Sequence, residues 1–286
     1  MTAVYITLGV VLFLAVLYLF LVFPARADWA ERAKFERRYY AHRGLFSNSG
    51  ELPPENSLEA FDRACLAGFG SELDVQFTSD GELIVFHDND YKRAAGQDKN
   101  VWDVPFEEAR SYRLFSREFG IPTFDEVLRC VDGRAPLIIE IKAEGRTNEQ
   151  YYELCRRVDG ALAGYKGDYC IESFNPFVMR WWRKNRPQIV RGQLLSAPKD
   201  YPKSLPGIAR FMLGNLMLDF LSRPNFVAYD CNSVPSALAL NRRLGVMSVM
   251  WTVKDFETAK RLEKTSDAII FDSYPQKETH FTQKRS

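Results

Sequence analysis

The chain lacks a cysteine framework, lacks an excess of either charge, and is poor in histidine. Its five cysteines (Cys65, Cys130, Cys155, Cys170, Cys231) stand singly, with no CxxC or other metal-ligand spacing. An odd, unpatterned set excludes a disulfide-stapled scaffold and points to buried thiols in a reducing compartment. Lys and Arg number 38 against 37 Asp and Glu. Such a balance supplies no global field for gripping a polyanion, so nucleic acid is not an expected partner. Repeats and low-complexity tracts are absent as well. What remains, 46% hydrophobic and 26% charged residues, is a globular composition.

Charge is missing altogether from Met1 to Phe23, and Val4 to Phe23 is almost wholly apolar. At about 1.5 Å per residue that run covers roughly 30 Å, the hydrocarbon thickness of a bilayer. Ala25-Arg26-Ala27 has the small-x-small pattern of a signal-peptide cleavage site. The missing basic n-region and the long apolar core favour a retained transmembrane anchor over residues 1–23. Residues 24–38 form a basic juxtamembrane linker carrying Arg26, Arg32, Lys34, Arg37 and Arg38. The positive-inside rule then places the bulk of the chain on the cytoplasmic side.

The stretch 39–275 has about the length of a (β/α)8 barrel, and 276–286 reads as a polar tail. Nine short apolar runs predict strands: Tyr39–His42, Glu72–Phe77, Leu83–His87, Leu137–Lys142, Tyr169–Phe174, Ile189–Leu195, Phe226–Asp230, Val246–Thr252 and Ala268–Phe271. Between them lie helix signals. Asn56-Ser57-Leu58-Glu59 and Thr123-Phe124-Asp125-Glu126 read as capping boxes, and Gly245 as the stop of a helix that begins near Pro235. Alternating strands and helices predict a parallel sheet covered by helices. One strand is in excess of eight. Asp80-Gly81 marks a tight reversal, so Leu83–His87 is expected to fold back antiparallel as a small β-hairpin insertion. Residues 91–120 have no clear period and are expected to form an excursion over the barrel mouth. Residues 205–221 crowd apolar side chains on most faces of one helix, which is read either as a packed barrel helix or as a surface helix dipping into the membrane.

His42 and His87 each close a predicted strand, the edge where barrel enzymes carry their active residues, and so are candidates for acid/base work. His280 lies in the polar tail. In Glu72-Leu73-Asp74 and Glu140-Ile141-Lys142 the charged side chains are spaced i, i+2 and share a face, while Leu73, Val75, Ile139 and Ile141 point the other way. The apolar set must meet the helices, so the charged set faces the barrel axis. Three carboxylates against one lysine leave negative charge uncompensated, at several kcal/mol per unpaired ion. A divalent cation removes that deficit, and an all-oxygen site suits Mg²⁺ or Ca²⁺. Arg43 offers a fork for phosphate oxygens, and Lys142 lies on the metal face. Together these groups fit phosphodiester cleavage better than proton abstraction beside a carboxylate.

In order along the chain, His42-Arg43-Gly44, Pro54-Glu55-Asn56-Ser57, Glu72-Leu73-Asp74-Val75, Asp80-Gly81, Phe86-His87-Asp88, Glu140-Ile141-Lys142, Ser173-Phe174 and Trp251-Thr252-Val253 resemble the glycerophosphodiester phosphodiesterases. The resemblance spans about Tyr39 to Pro275. It implies a TIM barrel and metal-dependent hydrolysis of glycerophosphodiesters to glycerol 3-phosphate and an alcohol. By position, it implies Glu72, Asp74 and Glu140 as metal ligands and His42 and His87 as the acid/base pair. Arg43 and Lys142 become phosphate contacts, and Trp251 lines the alcohol pocket. Asn56 and Ser57 are explained as helix caps. The stretch from His87 to Glu140 leaves the alcohol open, so the substrate is a soluble or a lipid phosphodiester. The alternatives are lysophospholipase D-type hydrolysis of membrane lysolipids and a non-catalytic, membrane-anchored lipid-binding barrel.

Overall fold

Strands with both faces apolar can only be buried between two layers, and a closed cylinder ringed by helices provides both. A computed structural model describes residues 1–25, 28–143, 145–272, 274 and 276–282. Arg26 of the basic linker, Ala27, Pro275 and the last four residues of the expected tail lie outside the described residues. The strands are β1 (Arg38–His42), β2 (Gly70–Phe77), β3 (Leu83–Val85), β4 (Leu137–Ile141), β5 (Tyr169–Ser173), β6 (Arg191–Leu195), β7 (Phe226–Asp230), β8 (Met247–Val253) and β9 (Ala268–Phe271). They run in the order β1-β9-β8-β7-β6-β5-β4-β2-β3, and β1 pairs with β2 to close the cylinder. All pairings are parallel except β2 with β3, whose Val75↔Val85 and Phe77↔Leu83 register is antiparallel. The expected eight-stranded barrel with one hairpin is therefore observed. The reversal is tied by a hydrogen bond from Gly81 N to Thr78 O at 3.0 Å and by the Asp80 carboxylate, which accepts from Thr78 Oγ1 at 2.5 Å.

The period of two sorts side chains as the sequence requires. Leu73, Val75, Ile139, Ile141 and Ile171 pack outward on helix residues Phe61, Phe124, Val127, Leu154 and Trp182. Tyr40, Ile138, Cys170, Phe226, Met247, Val249 and Ala268 fill the barrel interior. Gly192 of β6 belongs to this interior layer, since a Cβ there would lie 2.1 Å from the Phe226 ring. Replacing Gly192 by alanine forces that ring to move. It is expected to destabilise the fold by about 1–3 kcal/mol, read as a lower urea midpoint at unchanged slope.

Two of the helix starts behave differently from one another. Thr123 and Glu126 form a full capping box on helix Phe124–Val131. Ser57 caps helix Leu58–Leu66 through Ala60 N, but Ala60 occupies the position a box would require for its acid, and Glu59 is exposed. The predicted strand Leu83–His87 ends at Val85, so His87 sits on the loop beyond it. Residues 91–120 form short helical turns around a cluster of their own that includes Tyr91, Val101, Phe106, Tyr112 and Leu114. The stretch 205–221 is not one helix but two, Gly207–Gly214 and Asp219–Ser222. Leu213 and Leu216 are buried while Ile208 and Phe211 face out, so one side packs and the other does not. Beyond β9, Phe281 N donates to Arg37 O, and Tyr39 N to Thr279 O, along β1.

The N-terminal helix Thr2–Val22 reaches a mean hydropathy of 2.7 and is apolar and long enough to cross a membrane. Its last turn is docked: Val22 is fully buried.

Candidate active site

The register of neighbouring strands sets the site. His42 lies opposite Glu72, Asp74 opposite Glu140, and Glu140 opposite Glu172. Inward-facing acids from β2, β4 and β5 thus converge at one level near the carboxyl ends of the strands, where barrels carry their chemistry. One oxygen each from Glu72, Asp74 and Glu140 lie within 4.8 Å of one another, and all three residues are buried. Lys142, one residue past β4, reaches Glu140 Oε1 at 3.0 Å and Asp74 Oδ1 at 3.6 Å. Arg43 Nε lies 3.3 Å from Asp74 Oδ2. Four carboxylates therefore face two fixed cations.

Electrostatics follow from that crowding. Burial, and then the charges of Asp74, Glu140 and Glu172, hold the Glu72 carboxyl well above the usual range. Burial with Glu140 and Asp74 does the same to Glu172. Burial opposes ionisation of Asp74 too, but His87, Arg43, Lys142 and the Asn56 amide outweigh it and push its carboxyl far down. The fit to a divalent cation is chemical as well as geometric. The donor set is all oxygen, and Asp74 Oδ1 and Glu172 Oε2 are buried without a hydrogen-bond donor among the described residues.

The histidines flank the acids. His42 lies 3.8 Å from Glu72 Oε2 through Nε2 and 3.8 Å from Asp272 Oδ2 through Nδ1. Its burial, and then the Arg43 charge, lower its pKa below the ordinary imidazole value. His87 Nδ1 is 2.6 Å from Asp88 Oδ1, so Asp88 accepts there and leaves Nε2 for exchange. The His87 loop is fixed from below by the Gln76 amide, which donates to Phe86 O and Asp88 O, both at 2.8 Å.

Arg43 has φ 56 and is followed by Gly44 at φ 81. A Cβ at Gly44 would lie 2.7 Å from the Ala60 backbone, so the turn that swings Arg43 over the acids needs glycine next to it. Arg43 Nη1 then bonds Glu55 Oε1 at 2.8 Å, and Arg93 joins Glu55 (2.5 Å) to Asp88 (2.7 Å). That chain of pairs ties the excursion to the mouth.

His42, Arg43, Glu72, His87, Glu140 and Trp251 line one cavity of about 90 Å³, together with Glu172, Phe174, Leu194, Thr252 and Ile270. Asp74 and Lys142 join it through the contacts just given. All eight residues singled out in the sequence meet at this mouth. One reading needs correction: Asn56 is not a cap, since Ser57 alone caps the helix and the Asn56 amide instead donates to Asp74 Oδ2 at 3.0 Å. The sequence alone assigns no role to Glu172, Glu55, Arg93, Asp88, Gln76 or Asp272. Glu172 alternates with Cys170 on β5 and is open to the same i, i+2 argument; Glu55 and Asp88 are marked only as members of their motifs, and Arg93 carries no local signal.

A sequence profile described as the glycerophosphoryl diester phosphodiesterase family matches residues 42–275. A glycerophosphodiester phosphodiesterase of Caldanaerobacter subterraneus subsp. tengcongensis is 30% identical over 243 residues, covering 81% of this chain and 92% of its own. A lysophospholipase D of Rattus norvegicus is 32% identical over 132 residues, covering 45% of this chain and 40% of its own. Among solved structures, an Oleispira antarctica phosphodiesterase in complex with the product sn-glycerol-3-phosphate superposes with a TM-score of 0.68. It is 21% identical and covers 84% of this chain and 94% of its own.

Proposed function

The chain belongs to the glycerophosphoryl diester phosphodiesterase family, and on that premise we propose that it hydrolyses glycerophosphodiesters to glycerol 3-phosphate and an alcohol. The observation that carries this reading is the convergence of three acid ligands, two histidines and two cations on one cavity. Glu72, Asp74 and Glu140 would hold a divalent cation, Mg²⁺ or Ca²⁺. When bound, the cation offsets the negative charge that gathers on the phosphoryl oxygens.

The remaining steps belong to the chain's own groups. His42, kept neutral by burial and by Arg43, takes a proton from an attacking water as the water oxygen bonds to phosphorus. The bond from phosphorus to the alcohol oxygen breaks, and His87 Nε2 returns a proton to that oxygen, so proton and leaving group balance. Lys142 and Arg43 stand beside the acids to hold phosphoryl oxygens, and Glu55 keeps the Arg43 fork in place. The other half of the mouth is apolar, with Phe174, Leu194, Trp251 and Ile270, which favours as a second reading lysophospholipase D-type cleavage of a phosphodiester that carries an acyl chain.

The helix Thr2–Val22 is proposed to be a retained anchor, ahead of a basic linker over 24–38, the barrel over 39–275 and a polar tail over 276–286. The basic linker favours the cytoplasmic side for the barrel.

The test is product identity. Full-length protein given glycerophosphocholine is expected to release choline and glycerol 3-phosphate. Release of phosphocholine and glycerol would place the cleaved bond on the wrong side of phosphorus and overturn the reading. A panel with lysophosphatidylcholine alongside then reads whether an acyl chain on the glycerol is accepted.

A further inference from the structure

The β6–β7 connection leaves the barrel mouth and returns to the opposite end past the N-terminal helix. On the way it shows solvent an apolar ridge. Leu205, just ahead of the first helix, and Ile208 and Phe211 within it are 36%, 68% and 51% exposed. The other side of the same connection is firmly held: Leu213 and Leu216 are buried, and Tyr229 Oη donates to Gly214 O at 2.6 Å. The ridge is therefore a rigid display and not a loose loop.

What lies next to it decides its partner. The last turn of helix Thr2–Val22 is fastened to the second half of this connection. The Phe20 and Phe220 rings are 5.8 Å apart, and Leu216 shares a buried cluster with Val22. Arg223 donates to Phe20 O at 3.1 Å and to Phe23 O. Asn241 donates to Val22 O at 2.7 Å. These donors satisfy carbonyls that a helix end otherwise leaves open, and they fix the angle at which the apolar helix leaves the barrel. Lys199, Lys203 and Arg210 lie in the same stretch of chain as the ridge, against a single acid, Asp200. Exposed apolar side chains in a stretch with an excess of cations suit the headgroup boundary of an anionic membrane.

We propose that residues 205–214 rest in the interfacial layer of the membrane that the N-terminal helix enters, so that anchor and ridge form one two-point contact with the lipid. The proposal rests on the reading of Thr2–Val22 as a membrane span. Its consequence concerns substrate entry. Tyr201, at the start of the connection, meets the Phe174 ring edge-on at 6.5 Å, and Phe174 meets Trp251 at 5.8 Å. An aromatic row thus leads from the start of the connection that carries the ridge to the apolar half of the catalytic cavity.

The experiment uses the full chain in nanodiscs of phosphatidylcholine and phosphatidylglycerol, with photoreactive benzoylphenylalanine replacing Leu12, Phe211 or Leu66 in turn. Leu66 is the control, 75% exposed on the helix between β1 and β2, across the barrel from β6 and β7. Lipid adducts at 12 and 211, at least ten-fold above those at 66, are the expected result. Adducts at 12 without adducts at 211 would overturn the ridge contact and leave the span standing. A bond from 211 to a second copy of the chain, or equal lipid labelling at 66 and 211, would overturn it as well. Absence of adducts at both 12 and 211 would remove the span itself, and the ridge contact with it.

Discussion

Alanine in place of His42 or of His87 is expected to slow hydrolysis of glycerophosphocholine by a hundred- to ten-thousand-fold, the usual range for a lost general acid or base. Neither change opens a large void, because both rings border the cavity, so the thermal midpoint should move by only a few degrees. The two losses should not add. A base and an acid that act on one bond work as a unit, and the double variant is expected near the slower single one. The pH profile separates them. As the proposed base, His42 would work unprotonated, and protonation as pH falls through its pKa is expected to remove the activity. Burial and Arg43 lower that pKa, so the acid limb of kcat/KM should lie below the ordinary imidazole value of about 6.5. A bound dication repels the imidazolium and moves the limb the same way. The His87→Ala variant should keep this acid limb at its much reduced rate. Either single variant within ten-fold of the parent, while folded, would remove that residue from the chemistry.

Much of this was legible before any coordinates, and the reason is periodic. Alternation within Glu72-Leu73-Asp74 and Glu140-Ile141-Lys142 fixes which side chains face the axis, and the observed outward set, Leu73, Val75, Ile139 and Ile141, is the one that alternation demands. The surplus ninth strand was resolved by a two-residue turn signal. What escaped depends on contacts between distant segments. Arg93 meets Glu55 across 38 positions, and only the packing of the aperiodic excursion brings them together. Asn56 was masked by a sufficient local explanation, since capping accounts for such residues without any partner on β2. The apolar run Leu83–His87 predicts a strand that His87 closes, yet the ladder stops at Val85. The loop is instead held by Gln76, a side chain that reads as an ordinary strand residue.

Asp74→Asn and Glu140→Gln are each expected to abolish turnover, and to remove (Asp74→Asn) or weaken (Glu140→Gln) the response of the fold to divalent cations. The reasoning runs through stability. Glu72 and Glu172 keep their protons well above the usual carboxylate range because burial and their acidic neighbours disfavour the charge. Between that ordinary range and the raised native values the unfolded chain has lost protons that the native chain retains. The metal-free native state therefore loses stability as pH rises through this window. Metal ligands must be deprotonated, so cation binding offsets a cost that itself grows with pH. At a hundred-fold excess over Kd a bound cation adds about 2.7 kcal/mol, or roughly 5–10 °C in Tm for a domain of this size. The shift given by Mg²⁺ or Ca²⁺ should accordingly be larger at pH 8 than at pH 5.5 in the parent chain, and near zero at both in Asp74→Asn. Glutamine at 140 keeps the shape of the site but withdraws one charge and one strong oxygen ligand, so a partial shift there with no turnover would still match the assignment. Parent protein whose Tm and rate are the same with chelator and with excess cation would show that Lys142 and Arg43 alone neutralise the acids, and the metal-dependent mechanism would fall.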